Sequence, residues 1–323
     1  MGLNLKDILD LIIRNIDSKG NPIGIDPANC VSWARDLDLR KGGETIIYTS
    51  CMYQMIPYIT RLTNSIERFE KAGGIALKLG KAFSSIMDLG SVLRVPEDEL
   101  KRFQNIVRGI VSILNRIGVD VGYLYDEEPY SGSLLYELGV LDVFASLAEN
   151  TVSVFRKYGV RKVIAIDPHT YFTLSKIYPK YVDMGGIEVI HYLEIIDRKK
   201  DSLDLKKIDK DYTIHDPCLL ARYMKIIDPQ RNIIGKMGID LKEPERSGIR
   251  TRCCGGPLEA ISPKISRTIG SIRVSELAKH SNRAIVMCPI CFSNLSRSVE
   301  NNEIEIYDIA EILLQGVGND SRL

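Results

Sequence analysis

Five of the seven cysteines in this chain share one spaced pattern in its second half. The stretch RCCGGPLEA at 252–260 places two cysteines side by side, and a C-x2-C pair follows later in the chain. A disulfide between sequence neighbours is strained, whereas a glycine-rich loop lets both thiolates turn toward one metal centre. The C-x2-C spacing also lets two thiolates from one turn bind a single centre. The candidate metal ligands are Cys218, Cys253, Cys254, Cys288 and Cys291.

Two kinds of metal centre fit this pattern. Zinc in a structural site takes four ligands, and an iron–sulfur cluster usually takes four thiolates as well. The fifth cysteine therefore indicates either an unusual cluster or a free thiol beside a metal. Buried, inert cysteines would have no reason to share such a spacing. A disulfide framework is not expected either, because the chain has the features of a cytoplasmic protein.

The composition excludes several classes of partner. Hydrophobic residues make up 45% and charged residues 26% of the 323, with a formal net charge of +1, as in an ordinary globular protein. So small a net charge implies neither nucleic acid nor an anionic membrane as a general partner. There is no run of about 18 apolar residues that would predict a membrane span. The N-terminal stretch is typical of an amphipathic helix rather than a signal peptide, so we expect a cytoplasmic location.

The elements that must position the cysteines can be predicted from the hydrophobic pattern. Short β-branched runs alternate with helical stretches, which is typical of an α/β fold with mainly parallel sheets. The predicted strands are 44–50, 119–125, 161–167, 187–193, 212–217 and 283–288. The predicted helices are 5–19, 53–71, 97–117, 133–158, 171–178, 219–237, 264–280 and 304–315.

The order of strand, turn and helix recurs along the chain. This recurrence predicts two tandem pseudo-repeated α/β domains, at 1–195 and 196–323. Because Cys218 and Cys288 follow predicted strands, the metal site should lie at the strand carboxyl ends, where open α/β sheets bind ligands. Helices are expected to begin after Cys218, after the CCGGP loop and after Cys291, where their N–H groups would favour anionic thiolates.

The first half carries a degenerate copy of the cysteine pattern. Tyr130 and Ser131 stand where the paired cysteines belong, and Asp167 and Thr170 stand where the C-x2-C pair belongs. An insertion near 71–115 separates the first two motifs of this half. We therefore expect no second metal centre there.

Polar residues near the cysteines could support the centre. His215 lies three residues before Cys218 and could donate a hydrogen bond to cluster or substrate sulfur. It could equally satisfy a buried backbone group. Arg222, Arg250 and Arg252 could offset the negative charge of the thiolates.

The first half keeps one cysteine of the pattern. Cys51 occupies the position of Cys218, and we interpret it as a relic packed at a strand end, the alternative being a reactive thiol. Cys30 has no partner motif and is predicted to be structural. His169, Asp167 and Cys51 could together bind a divalent metal, but decay of an ancestral site is the simpler interpretation.

The motifs HDPCLLARYM, CCGGP and MCPICFSNL resemble the cysteine-rich CCG domain found in the catalytic subunits of heterodisulfide reductases and in related oxidoreductase complexes. The resemblance implies that the five cysteines of the second half hold one non-cubane [4Fe–4S] cluster that acts on thiol, disulfide or persulfide sulfur. It also implies two partners: a ferredoxin-like subunit that relays electrons through cubane clusters, and a flavoprotein. A small thiol or disulfide would be the substrate.

The resemblance therefore predicts an iron–sulfur redox subunit of a heterodisulfide-reductase-like complex. The flavin is assigned to a partner because the sequence has neither a phosphate-binding loop nor a GxGxxG fingerprint after a strand. The alternative from another class is a zinc-binding structural or assembly subunit of a respiratory dehydrogenase complex.

Overall fold

Two parallel sheets form the framework of the computed structural model, which describes residues 5–71, 94–301 and 303–318. The first sheet has the strand order β1-β2-β3, formed by Thr45–Tyr48, Lys162–Ala165 and Glu188–His191. The second has the order β5-β4-β6-β7, with β4 at Asp211–Ile214, β5 at Asp240–Leu241, β6 at Arg283–Val286 and β7 at Glu305–Asp308. Every strand pair is parallel, which confirms the α/β class. The pseudo-repeat and the domain boundary after residue 195 stay predictions.

Helices cover these sheets. They are α1 Leu5–Lys19, α2 Pro27–Val31, α3 Met52–Lys71, α4 Glu97–Arg116, α5 Ser133–Glu137, α6 Leu141–Lys157, α7 Pro168–Phe172, α8 Tyr192–Lys199, α9 Asp228–Lys236, α10 Pro263–Ala278, α11 Pro289–Ser298 and α12 Ile309–Val317. Among the described residues, none of the helices combines the length and the apolar character that crossing a membrane requires.

The central strands are short, continuous apolar runs. In β1 (TIIY), β2 (KVIA) and β6 (RAIV) the last three residues are buried. Strands covered on both faces need such runs rather than alternation. Helix α4 is amphipathic instead, with buried side chains three and four residues apart at Phe103, Ile106 and Ile110.

One hydrophobic core joins the two sheets. It contains Ile47 and Ile164 from the first sheet together with Ile214 and Ile285 from the second. Helix α4 lies against α12 so closely that a Cβ on Gly109 would be 2.4 Å from a methyl group of Leu314. The two halves of the chain therefore pack directly against each other.

Several element predictions are wrong, each for a physical reason. The stretch 119–125 forms isolated bridges at Gly122 and Tyr123 but no strand. A Cβ at Gly122 would lie 1.8 Å from the carbonyl oxygen of Gly42, so this segment crosses the backbone too closely for a regular ladder residue with a side chain. The predicted helix 304–315 begins as strand β7, and Asp308 then caps α12 by accepting a hydrogen bond from the Ala310 N–H.

Three predicted helices are interrupted. The stretch 133–158 divides into α5 and α6, with Gly139 at φ +76° between them. The stretch 219–237 begins as a π-helical turn at Leu219–Met224, and Lys225 at φ +61° separates this turn from α9. In place of the single helix expected at 171–178, a π-helical turn at Thr173–Ile177 follows α7.

The first half contains a disulfide that the sequence did not predict. Cys30 and Cys51 are bonded to each other, with their Cα atoms 4.9 Å apart. Cys51 lies three residues after the end of β1 and Cys30 lies in α2, so the pair is brought together by the fold and not by a local motif. The alternative of a reactive thiol at Cys51 is therefore wrong. Of the predicted insertion near 71–115, residues 72–93 lie outside the described part of the chain.

Candidate metal centre

The five predicted ligands lie in or beside three loops at the carboxyl edge of the second sheet, with Cys291 in the first turn of α11. Cys218 follows β4, Cys288 follows β6, and Cys253 and Cys254 lie in the loop before a 3₁₀ turn at Gly256–Leu258. Helix α11 begins at Pro289 rather than after Cys291, because proline at the first helical position favours an earlier start. The side chains of Cys254, Cys288 and Cys291 are buried, while those of Cys218 and Cys253 are partly exposed.

The five thiols influence one another electrostatically, and the ligand atoms of Cys254, Cys291 and His215 lie within 4.8 Å of one another. Cys218 is within hydrogen-bonding reach of Cys253, and Cys253 of Cys254. Cys254 in turn contacts Cys291, and Cys291 contacts Cys288. None of the five is in a disulfide. The structure thus brings together every cysteine of the pattern.

The CCGG loop is built to approach the sulfur atoms closely. The N–H groups of Gly255 and Gly256 donate to the Sγ atoms of Cys253 and Cys254, each at 3.3 Å. A Cβ on Gly256 would lie 2.4 Å from Cγ2 of Ile290 and 3.3 Å from Sγ of Cys254. Backbone donors of this kind stabilise thiolates bound to a metal. The chemistry of the site therefore fits an anionic, sulfur-ligated cluster.

His215 lies beside Cys291, and a buried arginine bonds to its other ring nitrogen. Its Nε2 lies 3.3 Å from Sγ of Cys291, and Nε of Arg273 donates to its Nδ1 at 3.1 Å. A guanidinium only donates, so Nδ1 must accept and Nε2 must carry the ring proton. Burial, with Arg273 beside it, lowers the pKa of His215 to about 3, so the ring is neutral. His215 is therefore arranged as a hydrogen-bond donor to sulfur.

Arg273 is the residue that sequence reasoning missed. Its side chain is fully buried on α10 and also donates to Glu276 at 3.0 Å and to the carbonyl oxygens of Arg246 and Ile214. No local pattern distinguishes it from the exposed basic residues of the chain. By contrast, Arg222 donates to the carbonyl oxygen of Thr251.

The predicted charge-offsetting role of the other basic residues stays a prediction. Arg252 pairs with Glu276 at 3.2 Å, and Arg250 ends a 3₁₀ turn at Gly248–Arg250.

Asp216 holds the segment that leads to the paired cysteines. Both of its carboxylate oxygens accept hydrogen bonds from Arg231 at 2.9 Å, and one also accepts from the Gly248 N–H at 2.7 Å. Burial would raise the pKa of Asp216, but the bonds from Arg231 hold it below its ordinary value. The HDPC motif thus supplies three functions in four consecutive residues: a hydrogen-bond donor to sulfur, a carboxylate that anchors a loop, and a cysteine.

The degenerate first site supplies a histidine to the same region. Nδ1 of His169 lies 2.6 Å from Glu137, and the ring is also within hydrogen-bonding reach of Cys288. Burial disfavours its charge, but Glu137 and Cys288 together raise the pKa of His169 well above its usual value. Asp167 instead caps α7, accepting from the N–H groups of His169 and Thr170. Because Cys51 is in a disulfide, the alternative of a His169–Asp167–Cys51 metal site is wrong.

Comparison with known proteins relates the region of the cysteines to a described family. Residues 212–296 match the CCG family, described as a cysteine-rich domain. That range includes all five clustered cysteines and His215.

Curated relatives are iron–sulfur proteins and oxidoreductase subunits. The chain is 27% identical, over 95% of its length and 42% of the relative's, to a probable membrane-anchored ferredoxin of Chromohalobacter salexigens. It is 32% identical to the probable iron-sulfur-binding oxidoreductase FadF of Bacillus subtilis, over 74% of this chain and 35% of that protein. It is 29% identical to one subunit of the dihydromethanophenazine:CoB–CoM heterodisulfide reductase of Methanosarcina acetivorans, over 64% and 54% respectively. The chain thus spans between about a third and about half of the length of these relatives, and it is similar to iron–sulfur redox subunits.

Proposed function

We propose that this chain is the iron–sulfur redox subunit of a heterodisulfide-reductase-like complex. In this proposal Cys218, Cys253, Cys254, Cys288 and Cys291 hold one non-cubane [4Fe–4S] cluster. The observation that carries the proposal is the group formed by the ligand atoms of His215, Cys254 and Cys291, which lie within 4.8 Å of one another, together with three further free cysteines of the same pattern. A tetrahedral zinc ion would bind four of the five cysteines and leave the fifth thiol without a role.

The residues around the sulfur atoms are suited to an anionic redox centre. When bound, an iron–sulfur cluster supplies reversible electron transfer at a potential that hydrogen bonds to its sulfur atoms adjust. The N–H groups of Gly255 and Gly256 and the Nε2–H of His215 are such donors. Arg273 adds a buried positive charge behind His215. We infer that these four residues set the potential at which the centre exchanges electrons.

We propose a thiol, disulfide or persulfide as the substrate and two electron-transfer partners. The chain has no ferredoxin-type C-x2-C-x2-C run, so a relay of cubane clusters would belong to a ferredoxin-like subunit. A flavoprotein would supply or accept electrons beyond it. Among the relatives, one is named a ferredoxin and another is named as part of a heterodisulfide reductase, which supports this arrangement. The cytoplasmic location stays a prediction.

Cysteine variants test the ligand assignment. In anaerobically purified protein, Cys253→Ser and Cys254→Ser should each lose most of the bound iron, since a hydroxyl replaces thiolate poorly. Cys30→Ser is the matched control and should keep the iron, because Cys30 lies in the disulfide with Cys51. Equal loss of iron in all three variants would contradict the assignment.

A redox assay of the assembled complex tests the substrate class. The complex should exchange electrons with at least one low-molecular-weight thiol or disulfide. If no compound of this class alters its redox state while the iron content is intact, the sulfur-directed function is wrong. A colourless protein with one zinc per chain would instead support the structural or assembly role.

A further inference from the structure

A cavity of about 180 Å³ lies directly beside the clustered cysteines. One wall consists of Gly256, which follows the paired cysteines, and Ile290, which lies between Cys288 and Cys291. His169, which contacts Cys288, lines the same cavity. A molecule in this space would therefore be adjacent to both cysteine loops.

Most of the remaining lining is aliphatic. Ile8 and Ile12 of α1 face the cavity together with Met52, Met55 and Ile59 of α3. No lysine or arginine lines it among the described residues. Its two carboxylates are those of Glu137 and Glu259, and Glu259 is already paired with Arg297 at 2.7 Å.

Polar groups are concentrated beside the cysteines. Glu137 bonds to His169, and the hydroxyl of Tyr130 bonds to that of Ser133 at 3.1 Å, with all four residues lining the cavity. The cavity is thus polar around His169, which lies beside Cys288, and mainly apolar elsewhere. Such a division suits a ligand with one polar head and one hydrocarbon tail.

We propose that this cavity binds the aliphatic part of the sulfur substrate, which is a neutral alkyl thiol or disulfide. The inference rests on the proposed function, since it places the sulfur atom at the His169 end, beside Cys288. A cavity of about 150 Å³ holds benzene, so this one accommodates a chain of about six to eight carbons. Anionic thiols bind more weakly, because the lining is mainly aliphatic and its one histidine, His169, is already bonded to Glu137.

Binding of a homologous series tests the proposal. Anaerobic, iron-loaded protein is titrated with propane-, butane-, hexane- and octanethiol, and the dissociation constant is read from the change in the paramagnetic resonance spectrum of the centre. Affinity should rise about fourfold for each added methylene until the chain fills the cavity. The anionic thiol 2-mercaptoethanesulfonate should bind more weakly than propanethiol.

A cavity-filling variant supplies the second arm. Ile8→Trp, at the partly exposed end of the lining, should weaken octanethiol binding at least tenfold and leave both propanethiol binding and iron content unchanged. Ile272→Trp is the matched control, because Ile272 is half exposed on α10 and does not line the cavity. The control should bind octanethiol like the unmodified protein.

The outcomes separate this inference from the proposed function. If thiols alter the spectrum with an affinity independent of chain length, the cavity proposal is overturned while sulfur chemistry stands. If calorimetry shows binding of octan-1-ol but no thiol alters the spectrum, the sulfur substrate is wrong for both proposals. Octanethiol affinity that falls as the protein concentration rises would mean that a second copy of the chain covers the cavity, and would also overturn the proposal.

Discussion

Replacing His215 by phenylalanine should lower the midpoint potential of the iron–sulfur centre. The substitution keeps a ring in place but removes the Nε2–H that lies 3.3 Å from Sγ of Cys291. This bond favours the reduced state because the sulfur atoms then carry more negative charge. A net hydrogen bond is worth about 0.5–1.5 kcal/mol, and about 1.4 kcal/mol corresponds to 59 mV for one electron. The expected decrease in potential is therefore roughly 20–65 mV.

The same substitution should also lower stability. Nε of Arg273 loses its acceptor in a fully buried position, at a cost of about 1–3 kcal/mol. The assay is a redox titration of anaerobic protein followed by paramagnetic resonance, with denaturation measured alongside. His280→Phe is the control, because His280 lies after α10 and away from the cysteines, and its potential should match that of the unmodified protein. A midpoint potential for His215→Phe that is unchanged or higher, with iron content intact, would refute the role of His215 as a hydrogen-bond donor to sulfur.

The remaining predictions concern other parts of the framework. Gly256→Ala should lose most of the bound iron, because its Cβ would collide with Cγ2 of the partly buried Ile290, 2.4 Å away. Gly235→Ala on α9 meets nothing within 4 Å and should retain the iron; elemental analysis compares the two. Asp216→Ala should lower the free energy of unfolding by about 1–3 kcal/mol, because the Gly248 N–H and Arg231, which keeps its bonds to Glu243, lose a buried acceptor, and the exposed Asp240→Ala should change it by less than about 0.5 kcal/mol in the same denaturation experiment. Burial lowers the pKa of His191 to about 3, so its contribution to stability is lost as the pH falls below about 6.5, where the unfolded chain takes up the proton. The free energy of unfolding of His191→Phe should therefore rise relative to that of the unmodified protein by about 1.4 kcal/mol for each unit by which the pH falls between about pH 6 and 4. A difference in unfolding free energy that stays constant over that range would show that this histidine does not titrate as inferred.

The cysteine pattern and the main strands could be predicted because both are local signals. A C-x2-C turn fixes how far apart its two thiols can be, and buried parallel strands are short apolar runs that begin and end in sequence. The position of His215 beside the sulfur atoms follows from its place in the HDPC motif. These features require no knowledge of distant contacts.

The missed features all depend on residues far apart in the chain. Cys30 and Cys51 meet only after α2 packs beside the end of β1. Arg273 is buried because α10 packs its side chain against the end of β4, where it bonds to His215 and to the carbonyl oxygen of Ile214. The stretch around Gly122 has the composition of a strand, yet its contact with Gly42 limits it to isolated bridges. In sequence His169 belongs to a decayed site, whereas the fold carries it to Cys288.

The most direct test of the five-sulfur centre is an anomalous diffraction map at the iron absorption edge, measured on crystals of the anaerobically purified protein. We expect iron peaks bridging the sulfur atoms of all five cysteines, from Cys218 through Cys253, Cys254 and Cys291 to Cys288. A single zinc peak bound by four of them, or thiols with no metal between them, would contradict the proposed centre.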